Sequence, residues 1–192
     1  KKGPKVLLIN AGNANAANGQ KGINDVKKYC KEIASDLNIE QENVIPFSTG
    51  VIGEALPIDS YLSAFRSALT KLKKNGWKKA ASAILTTDTK PKIVSKEVKV
   101  GKKSYSITGF AKGSGMIRRD FATLLIFVFV DAKLSQSLLN KIHNQALKVS
   151  FEAITVDGDT SPNDSSVLVT NGNQEKVVKA GSLDERKLTQ AI

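Results

Sequence analysis

A single cysteine, Cys30, and a single histidine, His143, are all that this sequence offers of the two commonest soft metal ligands. One thiol cannot close an internal disulfide, and without a Cys/His cluster no zinc site, and no metal of any kind, is expected. Cys30 falls on the apolar side of a helical repeat, which suits a small buried hydrophobe in a reducing compartment. Long apolar runs are also missing. The longest, Leu124–Val130, has seven residues, far short of the roughly 20 that cross a bilayer. No basic segment leading into an apolar h-region stands at the start. The expectation is therefore a cytoplasmic protein with no membrane partner. Methionine occurs once, at Met116, and the sequence begins at Lys1, so a preceding part of the gene product is expected.

Acidic residues are the scarcer charge: 18 Asp and Glu face 29 Lys and Arg, a net charge of +11. That balance raises nucleic acid or small anions as partners. The lysines are scattered, however, as Lys27-Lys28, Lys73-Lys74, Lys78-Lys79 and Lys102-Lys103. Pairs of this kind suit solvated helix ends and hairpin tips, and no aromatic residues interleave with them as a base-stacking platform requires. Nucleic acid is not expected as a partner; a basic nucleic-acid-binding module is kept only as the weakest alternative.

The periodicity predicts an α+β chain. Lys5–Asn10 and Asn43–Phe47 read as strands. Ile23, Val26, Tyr29, Cys30, Ile33, Ala34 and Leu37 recur at helical spacing between them. A second helix starts at Asp59 or Ser60, carries Tyr61, Leu62, Phe65, Ala68, Leu69 and Leu72, and stops at Asn75-Gly76. Ala83-Ile84-Leu85 reads as a strand, and Ile93–Ile107 as a hairpin about Gly101-Lys102. The non-alternating run Leu124–Val130 predicts a strand buried on both faces. A third helix follows through Leu138, Leu139, Ile142, Ala146, Leu147 and Val149, then a strand over Val167–Thr170. Ser182 with Glu185 has the pattern of a capping box. No repeat or domain boundary is evident, so 1–192 is expected to be one partial domain.

Five polar, glycine- or hydroxyl-rich loops stand between these elements: 10–19, Ser48-Thr49-Gly50, Thr86-Thr87-Asp88-Thr89, 111–115 and 157–160. Each alone suits an ordinary turn. Asp157–Asp164 lacks the glutamate at the interval of a calcium loop. Thr123 leads into the buried run. It is either simply the start of a strand, where Thr is at home, or a nucleophile. A threonine hydroxyl needs an adjacent base, and its own α-amine serves once the preceding peptide bond is cut. That amine titrates near ~8, close to working pH.

Six segments in order, NAGNANAANG (10–19), STGVIGEALP (48–57), TTDTKPK (86–92), AKGSGMI (111–117), AT (122–123) and ITVDGDTSPND (154–164), resemble the bacterial ornithine acetyltransferases. These are the bifunctional glutamate N-acetyltransferases of arginine biosynthesis. The resemblance implies an αββα-type sandwich like that of N-terminal-nucleophile enzymes. It implies a precursor that cuts itself at Ala122–Thr123, so that 1–122 belongs to an α subunit and 123–192 opens the β subunit of an α2β2 assembly. It further implies Thr123 as nucleophile, Thr49 and Gly50 as the oxyanion hole, and Thr86, Lys112 and Thr123 as substrate contacts. The substrates would be N-acetylornithine and glutamate. No cofactor is implied, with acetyl-CoA left open as an alternative donor. Arg119-Asp120-Phe121 stands where the family usually has a Pro-Asn-Met-like segment, and Pro162 where it tends to have a small hydroxyl residue. The family's longer β subunit supplies a glutamate and C-terminal Asn and Thr with no counterparts here. An amidase or aminopeptidase of the N-terminal-nucleophile type is the rival reading, because it differs only in whether water or an amine meets the acyl-enzyme.

Overall fold

The computed structural model describes residues 3–117 and 124–192. Its contacts divide the chain into two compact units, Lys1–Thr86 and Thr87–Ile192. Both mix helices with strands, so the α+β class expected from the sequence is what the structure has.

In the first unit, β1 (Val6–Asn13) and β2 (Val44–Val51) pair in parallel, from Val6 opposite Val44 to Gly12 opposite Gly50. Parallel neighbours need a long crossover, and α1 (Gly19–Leu37) supplies it. Its periodic apolar residues bury Tyr29, Cys30, Ile33 and Ala34 against Leu8, Val44, Leu56 and Leu62. Asn38 stops the helix in a left-handed conformation (φ 52°), and the next amide, Ile39 N–H, donates to the Ala34 carbonyl at 3.0 Å. Two short helices follow, α2 (Ile58–Leu69) and α3 (Trp77–Ala83).

Several expectations for this unit are corrected. Ala83-Ile84-Leu85 is not a strand: Ala83 ends α3 and Ile84 is its C-cap. Only Ala81 of the helix and Ile84 of the three apolar residues are buried, and so short an apolar run fits a helix end as well as it fits a strand. The second helix stops at Leu69, with Thr70 as C-cap, rather than at Asn75-Gly76. Leu72, placed in its core stripe, is 75% exposed. Ile23, at the start of the α1 stripe, is also exposed, and so is Val149 farther along the chain.

The second unit is a four-stranded sheet in the order β3-β4-β5-β6. β3 (Lys92–Val100) and β4 (Lys103–Lys112) form the predicted hairpin, turning through Gly101 at positive φ. β4 pairs antiparallel with β5 (Leu125–Val130), which pairs in parallel with β6 (Ser165–Thr170). The crossover between the last two is α4 (Gln136–Val149), N-capped by Ser135. Leu125, Ile126 and Phe127 are almost fully buried, as a doubly flanked strand with no alternation requires. The main core gathers Tyr105, Ile107, Val130, Ile142 and Leu188. The last of these belongs to α5 (Leu183–Ala191), where Ser182 Oγ accepts from Glu185 N–H at 3.2 Å, the N-terminal half of the predicted capping box. No described helix is long and apolar enough to cross a membrane.

Candidate active site

In the first unit the Ser48-Thr49-Gly50 segment is the end of β2, not a free loop. Asn10–Asn13, the start of the Asn-rich segment, is strand too and lies alongside it. Asn and Gly are poor strand formers. Here the side-chain amides fasten the backbone. Asn10 Nδ2 donates to the Asn13 carbonyl (2.8 Å), Ser48 Oγ donates to Asn10 Oδ1 (2.7 Å), and Asn13 Nδ2 reaches the Glu54 carbonyl (3.0 Å). Asn15 Nδ2 donates to the Gly22 carbonyl at 3.1 Å. Thr49 is buried within this lattice. Gly50 has φ +137°, and a Cβ there would lie 2.3 Å from Gly12 C and 2.5 Å from Asn13 N. Only glycine fits. Thr86, the last residue of this unit, lies in an exposed bend after α3.

In the second unit the Thr87–Thr89 turn, the end of β4 and the 157–164 loop converge. Lys112, expected in a loop, is the last residue of β4 and only 1% exposed. Burial depresses its pKa; the carboxylates of Asp88 and Asp164 oppose that shift and Lys92 adds to it. Asp88 has a fully buried side chain that accepts from Gly113 N–H at 2.8 Å and pairs with Lys92. Burial works to raise its pKa, but Lys92, the Gly113 amide and Lys112 together hold it below the usual carboxylate value. Thr87 and Ser114 join their hydroxyls at 2.5 Å, tying the same turn to the glycine-rich loop.

The 157–164 loop grips β5's approach at two points. Asp157 accepts from Met116 N–H (2.7 Å) and Ile117 N–H (2.9 Å), and these amide bonds, the Met116 one foremost, lower its pKa. They accompany an uncommon left-handed conformation at Met116 (φ 54°). Farther on, Asp164 Oδ1 accepts from Leu124 N–H at 2.7 Å. Its Oδ2 is buried and has no hydrogen-bond partner among the described residues. Burial pushes the Asp164 carboxyl up to about 6, against the pull of the Leu124 amide and of Lys112.

Lys112 thus lies within electrostatic reach of Asp88 and Asp164, and Thr49 and Gly50 stand beside the Asn-rich strand end. Ala122 and Thr123 lie outside the described residues. In the sequence Asp88 and Asp164 stand only within polar turns. Their signal there was an aspartate within a hydroxyl-rich turn, next to a strand, which suits capping of backbone N–H groups.

A model of the ArgJ family matches residues 1–192. Among curated proteins, the chain is 45% identical over 175 residues to the arginine biosynthesis bifunctional protein ArgJ of Colwellia psychrerythraea, covering 91% of this chain and 41% of the relative. It is 40% identical over 190 residues to the ArgJ protein of Methylococcus capsulatus, covering 98% and 47%. The crystal structure of arginine biosynthesis bifunctional protein ArgJ from Bacillus halodurans superposes with a TM-score of 0.52 at 37% identity, covering 58% of this chain and 59% of that one. The chain therefore spans less than half the length of these curated relatives.

Proposed function

Because the chain belongs to the ArgJ family, we propose that it is part of an acyltransferase of arginine biosynthesis that moves acetyl from N-acetylornithine to glutamate. The observation that carries this reading is a family match running through every one of its polar segments. Self-cleavage at Ala122–Thr123 gives an α part, 1–122, and the start of a β part, 123–192, assembled as α2β2 in the cytoplasm. The freed amine of Thr123 takes the proton from its own hydroxyl, which attacks the acetyl carbonyl. Ornithine leaves, and the amine of glutamate then collects the acetyl group. No cofactor enters this cycle, and acetyl-CoA is an alternative donor to the same hydroxyl.

Both half-reactions pass through an oxyanion. The Thr49 hydroxyl and the Gly50 N–H are assigned to it, and loss of one such donor typically costs about 2.7–4 kcal/mol of barrier. A backbone donor is most useful when it cannot move, and the close packing of Gly50 on Gly12 and Asn13 supports that role. Lys112 and Thr86 are assigned to substrate. A lysine ammonium is a compact point charge suited to a carboxylate, and burial of Lys112 strengthens such a pairing by excluding water.

The test is an intact mass and N-terminal sequence of the full-length gene product and its Thr123→Ala variant. The expected wild-type result is two fragments, one beginning at Thr123 and gaining an acetyl group when N-acetylornithine is added. An uncut wild type that never acquires acetyl would refute the reading. Acetyl turnover that is unchanged by omitting glutamate would instead favour the amidase alternative.

A further inference from the structure

A lysine that binds a substrate carboxylate must stay protonated and must be held in place. Burial works against the first need, because it disfavours the charged form. The end of a strand, where the backbone ladder runs out, gives little support for the second. Lys112 faces both difficulties, being 1% exposed and the last residue of β4. We propose that Asp88 is the positioning residue that meets them: it holds the chain at Gly113, directly after Lys112, and supplies the opposite charge that fits a buried lysine for a substrate carboxylate. This rests on the reading of Lys112 as a substrate contact.

Three observations carry the inference. First, the ladder at Lys112 reaches farther on one side than on the other. β5 pairs with β4 as far as Lys112, opposite Leu125, whereas β3 stops one residue short, at Lys92 opposite Ala111. Asp88 Oδ1 accepts from Gly113 N–H at 2.8 Å, so a side chain from the turn before β3 takes over where the strand's own bonds end. Second, that turn is itself fastened to the same loop. The hydroxyls of Thr87 and Ser114 meet at 2.5 Å, one residue to either side of the Asp88–Gly113 bond, and Lys92 pairs with Asp88.

Third, the Asp88 side chain is fully buried, and its Oδ2 has no hydrogen-bond partner among the described residues. A buried carboxylate is costly unless charge compensates it. The cations acting on Asp88 are Lys92 and Lys112. In return, Asp88 is the foremost group opposing the effect of burial on Lys112; Asp164 adds to it and Lys92 works against it. An asparagine at this position could still accept from Gly113 N–H but would carry no charge. The two contributions of Asp88 are therefore separable.

The experiment uses the full-length gene product and measures kcat and KM for N-acetylornithine, with glutamate saturating, from about pH 6 to pH 10. The wild type is compared with Asp88→Asn, Lys92→Met and Lys112→Met, each checked for fold by circular dichroism. Wild-type kcat/KM should fall along an alkaline limb as Lys112 loses its proton, and Lys112→Met should abolish that limb. Asp88→Asn should move the limb down by about 1 pH unit or more. Its KM should then rise about tenfold between the two limbs and stay near wild type below them, with kcat little changed. A folded Asp88→Asn enzyme with the limb unmoved overturns the inference while leaving Lys112 as a substrate contact. A KM raised equally at every pH marks damage to packing and also overturns it. If Lys112→Met keeps the wild-type KM, the reading of Lys112 falls and the inference with it. If Asp88→Asn fails to fold, Lys92→Met decides, because it removes the cation that shares Asp88 with Lys112. A limb moved to higher pH then supports the inference, and a limb unmoved or lowered overturns it.

Discussion

Replacing Gly50 by alanine separates two jobs that one residue has been given. As an oxyanion donor Gly50 contributes a backbone N–H, which alanine also has. As a packing element it contributes the absence of a Cβ. That atom would stand 2.3, 2.5 and 2.6 Å from Gly12 C, Asn13 N and Gly12 O, all main-chain atoms of the paired strand that cannot swing aside. The backbone at Gly50 also has φ +137°, where an L-residue is strained by about 1–3 kcal/mol. Overpacking into a rigid neighbour costs about 1–3 kcal/mol more. The sum, about 2–6 kcal/mol, is a large share of the 5–15 kcal/mol by which domains are usually stable. With a urea slope of about 2 kcal/mol/M, Gly50→Ala should lower the unfolding midpoint of the full-length protein by about 1–3 M. A variant with the wild-type midpoint would refute the claim that the β1–β2 contact needs a bare Cα at this position, whatever its activity.

Lys112→Met removes the cation that both Asp88 and Asp164 feel, and deleting one partner of a buried charge group costs about 3–5 kcal/mol. The loss should be larger at pH 8 than at pH 5, because Asp164 titrates near 6 and its neutral form no longer needs a counter-charge; equal losses in urea melts at the two pH values would contradict this. Cys30, its pKa pushed up to about 11 by burial, should react with a thiol reagent at pH 8 about two orders of magnitude more slowly in the native than in the denatured protein. Equal labelling rates would contradict its burial.

The elements that sequence made legible are those with long, one-sided patterns. The α1 repeat, the hairpin about Gly101 and the uninterrupted run of β5 all stand within a few residues of their expected limits. The misreadings have local causes. At Ala83-Ile84-Leu85 three apolar residues carry no period, and the preceding Trp77–Ala83 stretch, rich in Ala and Lys, was the better guide to a helix. The Asn-rich stretch shows no strand propensity, because what makes Asn10–Asn13 extended is pairing with a partner more than thirty residues away and the side-chain amides that stitch it there. For the site, Lys112 was recognisable as a residue, but not its burial. Nor could spacing show that Asp88 accepts from Gly113, or Asp164 from Leu124, since each pair is brought together only by folding across 25 and 40 positions.

The position of β5 bears on what kind of chain end this fold can tolerate. Newly exposed termini ordinarily fray, since the first few residues of a segment lose little by coming loose. β5 has β4 on one side and β6 on the other, and its first three residues are among the least exposed in the protein. A terminus made at Thr123 would stand two residues before that strand in the chain, and the strand's hydrogen bonds to both neighbours oppose its release. The conformational entropy of ordering the chain just after such a terminus would then have been spent when the sheet formed.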